Sequence, residues 1–232
     1  MASQTKVREM IAKNNAKKGG LSDKIVPIIL AIISAISILT TIAILFTLLT
    51  ETITFFTRVP LSKFFLSGTW NPTGSSPEFG IWALIIGTLK ITVIATIVAV
   101  PIGLGAAIYL NEYASDRSRR IIKPILEILA GIPTIVFGFF ALTFVTPILR
   151  NLIPNLGEFN SISPGIVVGI MIVPMITSMS EDAMSSVPDK IREGAFGLGA
   201  TKFEVATKVV LPAATSGVVA SIVLGISRAI GE

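Results

Sequence analysis

Residues 25–50 have the sequence IVPIILAIISAISILTTIAILFTLLT, a run without one charged side chain. An α-helix needs about 20 predominantly apolar residues to cross the hydrocarbon of a bilayer, so this run is long enough to span it. It is too long for the core of a signal peptide, and no small-residue cleavage site follows it. The run therefore predicts a retained first membrane span behind a polar, basic tail over residues 1–24.

The rest of the chain repeats this pattern of long apolar blocks. Of its 232 residues, 52% are hydrophobic and 14% are charged, against about 25% charged in an ordinary soluble domain. Four further blocks predict spans at about 79–100 (with a possible extension to 110), 124–149, 164–180 and 213 to the end. We expect an all-α, polytopic bundle of about five membrane-spanning helices over residues 25–232.

Proline and glycine stretches at 100–105, 131–133 and 173–174 predict breaks in three of these helices. The spacing of Gly165 and Gly169 fits the GxxxG pattern, which is typical of close helix contact.

Lysine and arginine predict the orientation of the bundle. The N-terminal tail and the four successive connecting segments carry six, two, four, one and four of these residues. Because basic segments stay on the cytoplasmic side, the alternation places the N-terminus and residues 188–212 in the cytoplasm. We expect a multi-pass protein of the cell membrane.

Composition also excludes several function classes. The chain has no cysteine and no histidine, which excludes disulfides, thiolate catalysis and imidazole-based metal or acid–base sites. No phosphate-binding loop of the form GxxxxGK[ST] occurs, so ATP chemistry would have to come from a partner. The net charge of +5 is spread between apolar blocks, unlike a nucleic-acid surface. We therefore predict no enzyme activity, cofactor or metal for this chain alone.

The segment 181–212 combines short helices with a glycine. Pro188 suits the first turn of a helix over 189–198 that stops at Gly199. Thr201 and Glu204 form a capping box that opens a second helix, and Pro212 would bend the chain into the last span. Such a helix–glycine–helix unit suits insertion into a groove of a soluble partner, although an ordinary amphipathic surface helix would have the same composition.

The spacing in this segment resembles a known motif. Glu193-Gly194-Ala195, Gly199 and Val209-Val210-Leu211-Pro212 match the EAA loop of ABC importer permeases, which has E-A-A, three residues, G, nine residues and I-x-L-P. In that family the loop docks into the ATP-binding subunit. The resemblance implies that coupling to this subunit uses Arg192, Glu193, Gly194, Ala195, Gly199, Leu211 and Pro212.

Four further stretches resemble phosphate-uptake permeases of the PstC type; they are residues 100–114, 124–138, 180–183 and 227–232. The resemblance implies a phosphate path shared with a PstA-like second permease subunit. It also implies an ATP-binding subunit dimer that holds ATP and Mg, and an external phosphate-binding protein. The family has a sixth span after the motif at 227–232, so we expect this sequence to lack the C-terminal end.

Arg228 and Glu232 are the candidates for the substrate path. They are four residues apart and thus share one helix face, and a charge inside the membrane is a functional candidate by default. The arginine fork matches phosphate oxygens, and Glu232 could hold that fork when the site is empty. A purely structural ion pair is the alternative.

Two other charges and two other functions stay open. Lys90 lies within the second predicted span, where it could extend toward the interface or attract an anion. Glu127 could pair with Lys123. An ABC permease for another oxyanion or small solute is a second function, and a secondary transporter without an ATPase is a third.

Overall fold

The structure is a computed structural model that describes residues 21–232, with side chains from Ile25 onward. Most of the basic tail predicted over residues 1–24 lies outside the described residues. In the described range, four helices are long and apolar enough to cross a membrane, or five when the bent pair at the C-terminal end is counted as one span. The predicted all-α bundle of about five spans is confirmed.

The described chain forms two compact units. The first contains residues up to Ser67 together with Asn71–Phe79. Its helices are α1 (Leu21–Arg58) and α2 (Leu61–Leu66). Five phenylalanines at the end of α1 and beyond it meet edge to face, with ring centroids 5.1–5.9 Å apart; they are Phe55, Phe56, Phe64, Phe65 and Phe79. Two short strands follow α2 in the chain: β1 (Trp70–Asn71), whose first residue belongs to the second unit, and β2 (Glu78–Phe79).

The second unit contains the remaining helices. In chain order they are α3 (Ile81–Ile108), α4 (Asp116–Ala130), α5 (Thr134–Phe140), α6 (Thr146–Leu152), α7 (Ile162–Ser185), α8 (Asp189–Gly197), α9 (Lys202–Glu204), α10 (Leu211–Ala213) and α11 (Thr215–Gly231). Three π-helical turns continue α3, join α5 to α6 and join α9 to α10; they are Tyr109–Tyr113, Ala141–Val145 and Val205–Val210.

Helix α7 is the centre of this unit and packs on both α3 and α11. A Cβ atom on Gly165 would lie 2.7 Å from Cβ of Ile94, and one on Gly169 would lie 2.9 Å from Cβ of Val98. The predicted close contact at the GxxxG pattern is therefore confirmed, with α3 as the neighbour. On the other side, a Cβ on Gly225 of α11 would lie 2.8 Å from Ile176.

Buried hydroxyl groups add hydrogen bonds to this packing. Thr177 of α7 donates to the carbonyl of Gly103 in α3 at 3.2 Å, and the Ser180 and Ser221 hydroxyls are 2.6 Å apart. In an apolar surrounding such bonds satisfy groups that would otherwise be costly to bury. They connect α7 to α3 and to α11.

The third predicted span is wrong at its N-terminal end. The structure breaks at Gly131–Pro133, so that the span begins at Thr134 and α4 is a separate helix. Proline blocks helical continuation from the residue before it, and the polar residues of α4 favour a surface position. The breaks predicted at 100–105 and 173–174 are also wrong, because α3 and α7 run through Pro101 and Pro174 without ending. Neighbouring groups can satisfy the backbone carbonyl that a proline leaves free.

Candidate transport path and coupling segment

The segment between α7 and α11 is built from two short helices with a sharp turn between them. Helix α8 ends at Gly197, and Gly199 follows with φ of +85°, a backbone conformation that disfavours any side chain. Thr201 then caps α9: its hydroxyl accepts from the Glu204 N–H, and the Glu204 carboxylate accepts from the Thr201 N–H. Both local predictions, the glycine stop and the capping box, are confirmed.

Other parts of this segment differ slightly from the prediction. Helix α7 continues through Ser185, so the first residues of the predicted segment 181–212 belong to that helix. The second short helix includes the π turn and ends at Ala213, where the chain bends by 77° into α11.

The capping carboxylate is strongly acidic. The Thr201 backbone N–H, followed by the Lys208 ammonium, lowers the pKa of Glu204 from 4.5 to about 2. The folded-state pKa is depressed, so Glu204 favours the folded segment above pH 4.5, and this contribution is lost as the pH falls toward about 2. The cap is therefore charged throughout the neutral pH range.

Most of the predicted coupling residues lie on the accessible side of the segment. Glu193, Gly194, Gly199 and Pro212 are exposed, whereas Ala195 and Leu211 are half-buried and pack on the core below. Exposed apolar side chains surround them, with exposed fractions of 45% for Ile191, 91% for Leu198 and 66% for Phe203. A short helix with bare glycine backbone and projecting apolar side chains can fit a groove on another protein.

Arg192 differs from its neighbours because it points inward. Its guanidinium donates to the carbonyls of Met184 and Val187 at 2.7 and 2.6 Å. It also donates to the Glu112 carboxylate at 3.2 Å, and only 14% of the arginine side chain is exposed. These contacts attach α8 to the C-terminal end of α7 and to the π turn that follows α3. We refer to Arg192 with these partners as the Arg192 clamp.

Glu181 is a buried charge that sequence reasoning missed. Its side chain is fully buried in α7 and forms ion pairs with Arg119 and Lys123 of α4, and Lys123 also reaches Asp182 at 3.2 Å. The predicted pairing of Lys123 with Glu127 is wrong, because the lysine side chain turns toward α7 and not along its own helix. The four-residue spacing of Arg119 and Lys123 could have indicated a shared basic face.

Arg228 and Glu232 lie together at the end of α11. Nε of Arg228 is 3.8 Å from Oε1 of Glu232, and the two side chains are 32% and 19% exposed. Glu232 also lines a cavity of about 190 Å³ between α3, α5 and α7, which Ile91, Phe137 and Met171 line as well. The structure thus brings an arginine fork and a carboxylate together, with the carboxylate, but not Arg228, at the edge of the cavity.

Lys90 lies outside the cavity beside Glu232. It lines a separate groove with Ile86, Leu89 and residues that precede α7, and it does not line the cavity beside Glu232. The structure therefore separates the two intramembrane cations that the sequence indicated.

Comparisons with known proteins agree with this architecture. Residues 99–232 match the family described as binding-protein-dependent transport system inner membrane component. The chain is 39% identical over 171 residues to the probable ABC transporter permease protein YqgH of Bacillus subtilis, which covers 73% of this chain and 55% of that protein.

Two phosphate permeases are similar over the same share of the chain. It is 37% identical over 189 residues to the phosphate transport system permease protein PstC of Haemophilus influenzae, covering 73% of this chain and 59% of that protein. It is 33% identical over 202 residues to PstC 1 of Mycobacterium tuberculosis, covering 73% and 60%. The chain thus spans somewhat more than half the length of these relatives.

A solved structure shows the same fold. Inward-facing conformations of the MetNI methionine ABC transporter match with a TM-score of 0.55 and 23% identity, covering 65% of this chain and 71% of that chain. With the family match over more than half of its residues, the chain belongs to the binding-protein-dependent transport system inner membrane components, the permease family of ABC importers.

Proposed function

We propose that this protein is a permease subunit of an ATP-driven importer of inorganic phosphate. The geometry of α8 supports coupling to an ATP-binding subunit. One face of this helix is exposed and free to contact a partner, while the Arg192 clamp attaches the helix to the π turn after α3 and to α7. A push on α8 would therefore reach the membrane helices through side-chain contacts as well as through the chain. The names of the PstC relatives support phosphate as the cargo.

The partners follow from this proposal. An ATP-binding subunit dimer would hold ATP and Mg and dock on the exposed apolar side chains around Glu193, from the cytoplasmic side. A PstA-like second permease subunit would complete the path, and an external phosphate-binding protein would deliver the anion from the opposite side. The protein would lie in the cell membrane with its N-terminus in the cytoplasm.

In the path, Arg228 would exchange partners. Its guanidinium lies beside Glu232, and an arriving phosphate would replace the carboxylate by accepting two parallel N–H hydrogen bonds from the arginine fork. Because one ion pair is exchanged for another, the arginine is never left unpaired in the membrane, where an isolated charge is costly. Such a site would bind phosphate reversibly.

Reconstitution of the complete transporter complex in liposomes tests the proposal. We expect phosphate uptake that requires ATP and that excess sulfate and molybdate do not inhibit. Glu193→Lys should abolish this uptake by reversing a charge on the docking face, whereas Glu127→Lys makes the same charge change at an exposed position of α4, outside the segment, and should have no effect. Competition by sulfate or molybdate would contradict phosphate as the cargo. Uptake without ATP would contradict the coupling.

A further inference from the structure

Lys90 is an intramembrane cation that the proposed transport path does not use. It lies nine residues after Ile81, the first residue of α3, which places it about 13 Å along the helix axis. The most apolar 18-residue stretch of its span has a mean hydropathy of 2.3. Within the described residues, no hydrogen bond or ion pair involves the Lys90 side chain. An ionised group at such a depth is costly unless a counter-charge accompanies it.

The surroundings of Lys90 form an amphiphilic groove with a volume of about 660 Å³. We call it the Lys90 groove, and its lining residues are Ile86, Leu89, Lys90, Val93, Ile94, Leu156, Asn160, Ser161 and Ile162. Ile86, Leu89 and Val93 are 48%, 52% and 54% exposed, as expected of side chains that contact lipid.

The side-chain amide of Asn160 in the groove is already hydrogen-bonded within the protein. The Asn160 side chain accepts from the N–H groups of Ile162 and Ser163 and donates to the Gly157 carbonyl. Among the described residues that line the groove, Lys90 is the one that carries a charge. The groove therefore offers an ammonium group at the edge of an apolar surface.

We propose that the Lys90 groove binds an anionic phospholipid. The Lys90 stem would extend along the apolar side chains toward the interface. There the headgroup phosphate would accept hydrogen bonds from the ammonium, for which a phosphate is a strong partner, and an acyl chain would lie along the apolar side chains. Charge complementarity and the apolar wall favour a lipid over free phosphate, because an inorganic anion gains nothing from the apolar part of the groove. A bilayer also provides the lipid continuously beside the exposed side chains of α3.

The proposal is independent of the path at Arg228. The cavity beside Glu232 is lined from α3 by Ile91, whereas the Lys90 groove is lined by Ile86, Leu89, Val93 and Ile94. A lipid at Lys90 would therefore not fill the cavity beside Glu232.

Lipid binding to the purified complete complex tests this inference. We would measure phosphatidylglycerol and phosphatidylcholine binding by native mass spectrometry after removal of endogenous lipid. The complex should prefer phosphatidylglycerol, and Lys90→Met should lower its affinity for that lipid by about tenfold or more, in keeping with a lost charge-assisted hydrogen bond. Lys90→Arg should retain the preference, and Lys63→Met, a charge-matched change outside the groove, should leave it unaltered.

A second variant tests the apolar side chains that line the groove. Leu89→Trp should obstruct the groove and weaken phosphatidylglycerol binding while Lys90 keeps its charge. Equal binding of the two lipids, or an unchanged preference in Lys90→Met, would overturn the proposal. So would a Lys90→Met complex that loses its second permease subunit but keeps its lipid preference, because Lys90 would then pair with a protein carboxylate.

Discussion

At the scale of single residues, charges buried among the helices dominate the chemistry of this permease. Glu181 has no exposed surface, whereas its partners Arg119 and Lys123 keep 34% and 30% of their side chains exposed. The two sides of this ion cluster are therefore unequal. Loss of the carboxylate leaves two cations that water can reach, but loss of both cations leaves a carboxylate that nothing solvates.

This asymmetry leads to a prediction for stability. The double variant Arg119→Met/Lys123→Met should lower the free energy of unfolding by about 3 kcal/mol or more, in the range found when one side of a buried ion pair is removed. Glu181→Gln should cost clearly less, and each cation variant alone should be mild because the other cation remains. Thermal unfolding of the purified complexes in detergent would rank these variants by stability. A Glu181→Gln variant less stable than the double variant would contradict it.

A second residue-scale prediction concerns the substrate path. Arg228→Gln removes the charge and the fork while keeping a polar amide, so phosphate uptake by the complete complex should fall by at least about 100-fold, the equivalent of a lost charge-assisted bidentate contact. Assembly should be unchanged on size-exclusion chromatography. Arg228→Lys keeps the charge but not the fork and should show partial uptake. Loss of assembly in Arg228→Gln would instead indicate a structural ion pair with Glu232.

At the scale of elements, the contact between α3 and α7 depends on glycines without room for a Cβ. Gly165→Ala brings the new methyl to 2.7 Å from Cβ of Ile94, an atom fixed to the backbone of α3. We expect the variant to destabilise the protein by about 1–3 kcal/mol, as overpacking of tight contacts does. Gly87→Ala is the control, because nothing lies within 4 Å of its Cβ position in α3. Equal thermal stability of the two variants would contradict close packing.

A similar pair of glycine variants tests the turn between α8 and α9. A Cβ at Gly199 meets no neighbour, but its positive φ costs about 1–2 kcal/mol for a residue with a side chain. Gly199→Ala should therefore speed amide hydrogen exchange across residues 189–204 by roughly 5- to 30-fold relative to wild type. Gly197→Ala lies in helical backbone with open space around it and should not speed exchange. Faster exchange in Gly197→Ala than in Gly199→Ala would refute the role of the turn.

Local features of these elements were predictable from the sequence, and distant contacts were not. The stop at Gly199 and the cap at Thr201 depend on residues within four positions, so their spacing alone predicts them. The partners of Glu181 lie 58 and 62 positions away along the chain, and no periodicity indicates which of several basic residues meets it. The inward direction of Arg192 was missed for the same reason, since Glu112 is 80 positions distant. The break at Pro133 was predicted, but the sequence did not show that α4 would leave the membrane-spanning helix.

At the scale of the whole molecule, orientation remains a prediction, and the chain is well suited to testing it. It contains no cysteine, so a thiol reagent would label only a cysteine introduced at a chosen position. Phe159→Cys and Leu198→Cys replace side chains that are 88% and 91% exposed. A membrane-impermeant maleimide should label position 159 in intact cells and position 198 only in inside-out vesicles. Labelling of position 198 from outside the cell would overturn the assignment from the basic residues.

The three π-helical turns have a consequence for sequence divergence. Each wide turn accommodates one residue more than α geometry would, so deletion of a single residue there can be absorbed by tightening the turn. The same deletion within α7 would rotate every later side chain by about 100° and turn Glu181 away from its cations. One-residue gaps between this chain and its relatives should therefore cluster at 109–113, 141–145 and 205–210, and α7 should keep a constant length.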